Sequence, residues 1–180
     1  AATPDAIYGI FPDGEIRYGE LDAAARRIAA GLIALGVRPG DHVATLMPNC
    51  RNWLPAYFGA LYAGAVVAAF NARYKRHELG YTIGHSDARV LMTTDAIEDH
   101  VDFAALIAGT LEGFTDGSGR DLSLPGAPQL RAAVLFGHTR RPDFLSLSDL
   151  ESAGVGVSED AVATTRDIVD PDSATAIIYT

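Results

Sequence analysis

The sequence predicts an α/β fold: a mainly parallel sheet flanked by helices. Three observations carry this expectation. Strand-length apolar runs recur without polar alternation, as "HVATLM", "AVVAAF", "ARVLMTT", "AAVLFG" and "ATAIIY". Such runs belong to strands buried on both faces, which is the pattern of parallel sheets. The first runs are separated by stretches with helical spacing, the βα alternation of a doubly covered sheet. Glycine and proline turn signals fall at the junctions.

The first element is a predicted hairpin. "AIYGIF" and "EIRY" are β-prone and are joined at Pro12–Gly14, where proline presets φ and glycine accepts positive φ. "GELDAAARRIAAGLIALG" follows as an amphipathic helix, with Leu21, Ala25, Ile28, Leu32 and Leu35 on one face. Gly36 suits its C′ position, and "RPGD" is a turn. After the strand His42–Met47, Asn49 or Asn52 is a candidate N-cap. Pro55 is tolerated only in a first turn, so the second helix should begin close to Asn52. Trp53, Leu54, Tyr57, Phe58 and Leu61 make that helix apolar on more than one side, and its aromatic residues read as core.

Beyond the strand Ala65–Phe70 the pattern predicts a helix over His77–Ser86, a strand over Ala88–Thr94 and a helix over His100–Gly113. Phe114–Leu130 is rich in Gly, Ser and Pro and reads as a flexible loop. A strand over Ala132–Gly137 follows, then a polar, irregular stretch from His138 to Val169 with one helical turn at "SLSDLESAG". The last element is a buried strand, Ala174–Tyr179. The expected organisation is one partial domain over 1–180. Within it lie a hairpin and repeated βα units over 1–112, a flexible loop over 113–131, and strand, irregular segment and strand over 132–180.

Composition narrows the partners. Fourteen basic residues against 23 acidic ones give a formal charge of −9. Nucleic acid or an anionic membrane would be repelled over most of such a surface. "ARYK" at Ala72–Lys75 is the one candidate basic patch. A single cysteine, Cys50, permits no internal disulfide and fits the reducing cytoplasm. The longest apolar stretch, Ala60–Phe70, is too short for a transmembrane segment. Nothing sets the oligomeric state, and a homodimer stays open.

The inventory of reactive groups is poor. His42, His77, His85, His100 and His138 are scattered, without metal-ligand spacing, and read as surface or capping residues. Cys50 reads as a small residue at a helix start. No nucleophile elbow, Walker A loop or Gly-x-Gly-x-x-Gly fingerprint occurs. In a parallel sheet, ligands bind at the carboxyl ends of strands. That rule selects Pro48–Asn52, Asn71–Lys75 and Thr180 as places.

Three blocks resemble one family, the adenylate-forming (AMP-binding) acyl-CoA synthetases. The stretch Ile16–Asn49 contains Tyr-x-Glu-Leu (Tyr18–Leu21), Gly-Asp-x-Val (Gly40–Val43) and Pro-Asn (Pro48–Asn49). The stretch Tyr57–Thr93 contains Ala-Gly-Ala (Ala63–Ala65) and the Asn-x-Arg turn (Asn71–Arg73). "VDPDSATAIIYT" is similar to the segment leading into the family's phosphate-binding loop, Tyr-Thr-Ser-Gly-Thr-Thr-Gly-x-Pro-Lys-Gly. The resemblance implies an ATP-dependent ligase. A carboxylate attacks the α-phosphate of ATP to give acyl-adenylate and pyrophosphate, and the coenzyme A thiol then displaces AMP. It implies ATP, Mg²⁺ and coenzyme A as cofactors, a carboxylic (fatty) acid as substrate, and the remainder of the same polypeptide as partner. It implies Thr180 as a nucleotide-binding residue and Phe70, Asn71 and Arg73 as coenzyme A contacts, with no catalytic residue and no metal ligand. The chain is expected to be the incomplete amino-terminal part of the large domain, inactive alone. "VVAAFNARY" departs from the strand ending typical of peptide-synthetase adenylation domains and favours fatty- or aryl-acyl ligases. A non-catalytic scaffold module with this fold, or another adenylating enzyme, is the alternative.

Overall fold

The computed structural model describes residues 3–12, 14–116 and 119–179. The expected hairpin forms as β1 (Ile7–Phe11) and β2 (Gly14–Arg17), paired antiparallel with Phe11 opposite Gly14. Its turn depends on Gly14, whose φ is +133°.

The main sheet has six strands, β3 (His42–Leu46), β4 (Val66–Phe70), β5 (Ala88–Thr94), β6 (Ala132–Phe136), β7 (Leu145–Ser146) and β8 (Ala176–Ile178). They lie in the order β7-β6-β5-β3-β4-β8, and every pair is parallel. The predicted α/β class, a parallel sheet flanked by helices, is the architecture observed. Alternating side chains of the central strands feed two cores. Val43, Val67, Val90, Met92, Val134 and Phe136 face α1 (Tyr18–Ala34), α2 (Trp53–Tyr62) and α5 (Leu147–Ala153). Ala44, Leu46, Leu91, Ala133 and Leu135 face α3 (Arg76–His85) and α4 (Phe103–Ala108).

The motif residues explain much of this local structure. Glu20 accepts the Arg17 N–H at 2.9 Å and so caps α1, while Leu21 enters the core. Helix α1 closes in a Schellman motif. The N–H of Gly36, at φ +85°, donates to the Ile33 carbonyl, and the N–H of Val37 donates to that of Leu32. Gly64, at φ +75°, closes α2 in the same way, and its carbonyl accepts the Gly40 N–H. The Gly-Asp and Ala-Gly-Ala motifs therefore shape the amino edge of the sheet.

Several expectations need correction. The buried face of α2 is Ala56, Gly59 and Ala60, and its aromatic residues are only half-buried. Helix α1 approaches too closely for large side chains, because a β-carbon on Gly59 would lie 2.5 Å from Ile28 Cγ2. Trp53 and Tyr57 stack on each other at 5.0 Å and pack, half-buried, against the core beside that small-residue face. Asn52 is the N-cap residue as position, but its amide reaches Thr94 Oγ1 at 3.3 Å and makes no side-chain cap. The helix expected over His100–Gly113 is confined to Phe103–Ala108. Asp102 caps it by accepting the Ala105 N–H at 2.7 Å, and Gly109 ends it against the Arg76 guanidinium.

The long excursion after α4 sends Phe114, Leu122, Leu124, Ala127 and Leu130 into the core, covering the sheet beside α4. The polar stretch 138–169 holds more order than expected: β7, α5 and α6 (Glu159–Asp167). Helix α6 was hidden because Val162 is its one buried residue. Finally, among the described residues β8 lies at the end of the strand order. Ala176 and Ile178 are exposed, Ile178 by 74%.

Candidate functional site

Because the strands run parallel, Leu46, Phe70, Thr94, Phe136 and Ile178 end on one edge of the sheet. The chain passes from β3 to β4 on one side, then returns to β5 on the other side of β3. That reversal opens a crevice at the carboxyl ends, where α/β sheets bind ligands. A cavity of about 850 Å³ lies there, between the hairpin, α1 and the segments after β3, β5 and β6. Asn49, Cys50, Arg51, Asp95 and His138 are in its wall.

Asp95 braces this wall. Its Oδ2 accepts the N–H groups of both His138 and Thr139 at 2.7 Å. Gly137 precedes them at φ +132°, and a β-carbon there would fall 1.6 Å from Asp95 Oδ1. Arg27 and Glu151 pair across the cavity rim at 2.9 Å. Cys50 is buried. His138 is exposed at the wall, and His77 and His100 are exposed elsewhere. His42 Nδ1 lies 2.6 Å from the Ser86 carbonyl, a structural contact. Among the described residues no group of carboxylates, imidazoles and thiols is placed to hold a metal ion.

The second place on this edge is the turn after β4. Asn71 builds it twice. Its carbonyl accepts the Tyr74 N–H at 3.0 Å, and its Oδ1 accepts the Arg73 N–H at 2.9 Å. The Lys75 N–H donates to Glu78 Oε2 at 3.0 Å, capping α3. Those amide donors, the Glu78 N–H first and then that of Lys75, hold the Glu78 carboxyl below its usual range. Phe70 is buried beneath the turn. Arg73 is exposed and forms no ion pair among the described residues. Of the three expected coenzyme A contacts, Arg73 therefore presents a free charged group, Asn71 is committed to the turn, and Phe70 supports it from below.

β8 lies beside β4, so Tyr179 falls next to this turn. The Tyr74 hydroxyl donates to the Tyr179 carbonyl at 3.3 Å, and the Phe70 and Tyr179 rings meet edge-to-face at 6.1 Å. The Tyr179 hydroxyl lies 3.3 Å from His85 Nδ1. Burial, then the charge of Asp87, pushes the Tyr179 phenol above its ordinary value. Thr180, the expected nucleotide contact, lies outside the described residues. Tyr74 lies within the Asn71–Lys75 place and His85 reads as a surface or capping residue in the sequence, but neither their contacts nor Asp95 are marked by any motif. Their partners are 105, 94 and 43 or 44 positions away, and no local pattern encodes such pairings.

Comparison with known proteins agrees with this architecture. The model of the family described as "AMP-binding enzyme" matches residues 1–180. YngI of Bacillus subtilis (strain 168), which carries an acyl-CoA synthetase name, is 27% identical over 99% of this chain and 33% of its own length. The feruloyl-CoA synthase of an Amycolatopsis species is 43% identical over 96 residues, 53% of this chain and 19% of that protein. Among solved structures, the anthranilate CoA ligase AuaEII in complex with anthranoyl-AMP superposes with a TM-score of 0.68 at 25% identity. That match covers 84% of this chain and 26% of the ligase. The chain thus spans a third or less of the length of these relatives. Among the described residues no helix is long and apolar enough to cross a membrane.

Proposed function

The chain belongs to the AMP-binding enzyme family, and on that premise we propose that it forms the amino-terminal part of the large domain of an ATP-dependent acyl-CoA ligase. The match of the family model over residues 1–180 carries this reading. In the reaction a carboxylate oxygen attacks the α-phosphorus of ATP and pyrophosphate leaves. The coenzyme A sulfur then attacks the acyl carbon and AMP leaves. Chemistry of this kind depends on positioning and on neutralising phosphate charge.

Within this chain, Thr180 would supply the first hydroxyl of the loop that holds the ATP phosphates. Arg73 would meet a coenzyme A phosphate, on a turn shaped by Asn71 and supported by Phe70; its exposure and lack of an ion pair support that role. Among the described residues no group of three or more carboxylates, imidazoles and thiols is placed to hold a metal ion, and Mg²⁺ would be held largely by the ATP phosphates. The remaining chain of the same polypeptide would complete the acyl pocket. A cytoplasmic location goes with this reading, supported by the lone Cys50.

The substrate we favour is a fatty acid, with an aryl acid as second reading. The higher identity to the feruloyl-CoA synthase supports the latter. The test is a panel of fatty and aryl acids offered to the intact enzyme with ATP and coenzyme A, following AMP formation and thiol loss. Long-chain acids should be consumed best. A preference for cinnamate- or benzoate-type acids would replace the fatty acid by the aryl one, and no turnover with any acid would overturn the ligase reading. Residues 1–180 alone should exchange no pyrophosphate into ATP.

A further inference from the structure

The residues lining the cavity of about 850 Å³ all fall between Pro12 and Glu151, and they divide into three kinds. The floor is apolar, with Ile16, Ile28 and Phe136 buried there. The carboxylates are already engaged by donors of this chain. Glu20 accepts the Arg17 N–H at 2.9 Å, Asp95 accepts the His138 and Thr139 N–H groups at 2.7 Å, and Glu151 pairs with Arg27 at 2.9 Å. The uncommitted polar side chains are ones that can donate. Arg51 is half-buried in the wall, and among the described residues its guanidinium has no hydrogen bond and no ion pair. The side chains of Asn49 and His138, in the same wall, are likewise without a partner among the described residues.

A charge drawn partly out of water costs free energy unless a counter-charge meets it. The planar fork of a guanidinium matches a carboxylate through two parallel hydrogen bonds. The volume lies within the range of small-molecule sites, about 300–1,000 Å³. An apolar floor favours a ligand with an apolar body over a bare, hydrated anion. We propose that this cavity binds an amphipathic carboxylate, its head on Arg51 and its body against Ile28 and Phe136. Asn49 and His138 supply further donors to the head, and the Asp95 brace holds the His138 wall in place. Binding of this kind requires neither ATP nor coenzyme A, so it stands apart from the ligase reading.

The test uses the intact enzyme without ATP or coenzyme A. Hexanoate and benzoate are the probes, and hexanamide and benzamide are their neutral controls. Labelling of wild-type arginines by phenylglyoxal, read by mass spectrometry, should slow at Arg51 as either acid is added. The exposed Arg38 should keep its rate. In binding titrations Arg51→Ala should weaken the acid about tenfold or more, as loss of a charge-assisted pair requires. Arg51→Lys, which keeps the charge without the fork, should weaken it less. Labelling needs no variant, so it decides the question even if the substituted proteins fail to accumulate. An unprotected Arg51, the result if another segment of the polypeptide fills the cavity, overturns the proposal. Equal protection by the amides or by inorganic phosphate overturns it too. If Arg51→Ala also raises KM for an adenylated acid, the ligand is the enzyme's own substrate; if that KM is unchanged, the ligand is a separate carboxylate. Either result supports the site. Protection of Arg51 in an enzyme that adenylates no acid overturns the ligase reading alone, whereas an active enzyme without protection overturns this inference alone.

Discussion

Gly31 of α1 lies directly against Leu150 of α5: a β-carbon on Gly31 would sit 2.4 Å from the Leu150 carbonyl oxygen and 2.7 Å from its Cγ. The obstacle is backbone, so α5 as a whole would have to move. Gly31→Ala should therefore destabilise the fold by up to about 2 kcal/mol. Overpacking costs about 1–3 kcal/mol, offset by about 1 kcal/mol of helix propensity. Urea unfolding checks this, with Gly126→Ala, where no heavy atom lies within 4 Å, as the contrasting site.

Thr45 is buried in β3, and its Oγ1 has no hydrogen-bond partner among the described residues. A buried hydroxyl without a partner costs about 1–3 kcal/mol. Thr45→Val keeps the branched shape and removes that hydroxyl. It should stabilise the chain by about 1 kcal/mol, read as a higher denaturation midpoint at unchanged slope.

Asp95→Ala deprives two amides, those of His138 and Thr139, of their shared acceptor. Hydrogen bonds to a charged group contribute about 1.5–3 kcal/mol each where water is excluded. Here His138 is exposed and water can substitute, so a loss of about 1–2 kcal/mol is expected. Hydrogen exchange at the two amides should accelerate, and unchanged exchange would contradict the bracing role.

The pH profile of stability should fall at both ends through one pair. The Arg26 hydrogen bond, helped by that of Tyr62, holds the Asp22 carboxyl below its ordinary range against the opposing effect of burial. Burial, and then the bond to Asp22, pushes the Tyr62 phenol up. A lowered acid stabilises the fold above its unfolded value, about 3.9, and loses that contribution as pH falls through the folded value. A raised phenol stabilises below its unfolded value, about 10, and loses that contribution as pH rises through the folded one. Asp22→Asn should flatten the acid limb and Tyr62→Phe the alkaline limb in unfolding temperatures measured across pH.

Among the described residues, Ile178 is an exposed apolar side chain on β8, the last strand in the sheet order. Edges of this kind invite pairing with another chain. Residues 1–180 should associate with rising concentration in sedimentation velocity. Ile178→Lys should reduce that association without lowering the unfolding midpoint.

Much of the fold was legible because buried parallel strands advertise themselves. His42–Leu46, Val66–Phe70, Ala88–Thr94 and Ala132–Phe136 coincide with the apolar runs to within a residue. The spacing of Leu21, Ala25, Ile28 and Leu32 marked the buried face of α1, and Gly36 marked its end. Helix α2 misled because size was taken for burial. Its neighbour comes so near at Gly59 that only small side chains fit between them.

The sequence by itself determined the local elements, the glycine-closed helix ends and the turn built on Asn71, since each depends on residues a few positions apart. Only the tertiary structure decided that β5 crosses to the far side of β3, that β8 pairs with β4, and that Tyr74 meets Tyr179. Hydrophobic period reports the environment of one segment at a time. Which segments become neighbours depends on the order of strands in the sheet, and that order is set by the packing of the whole chain.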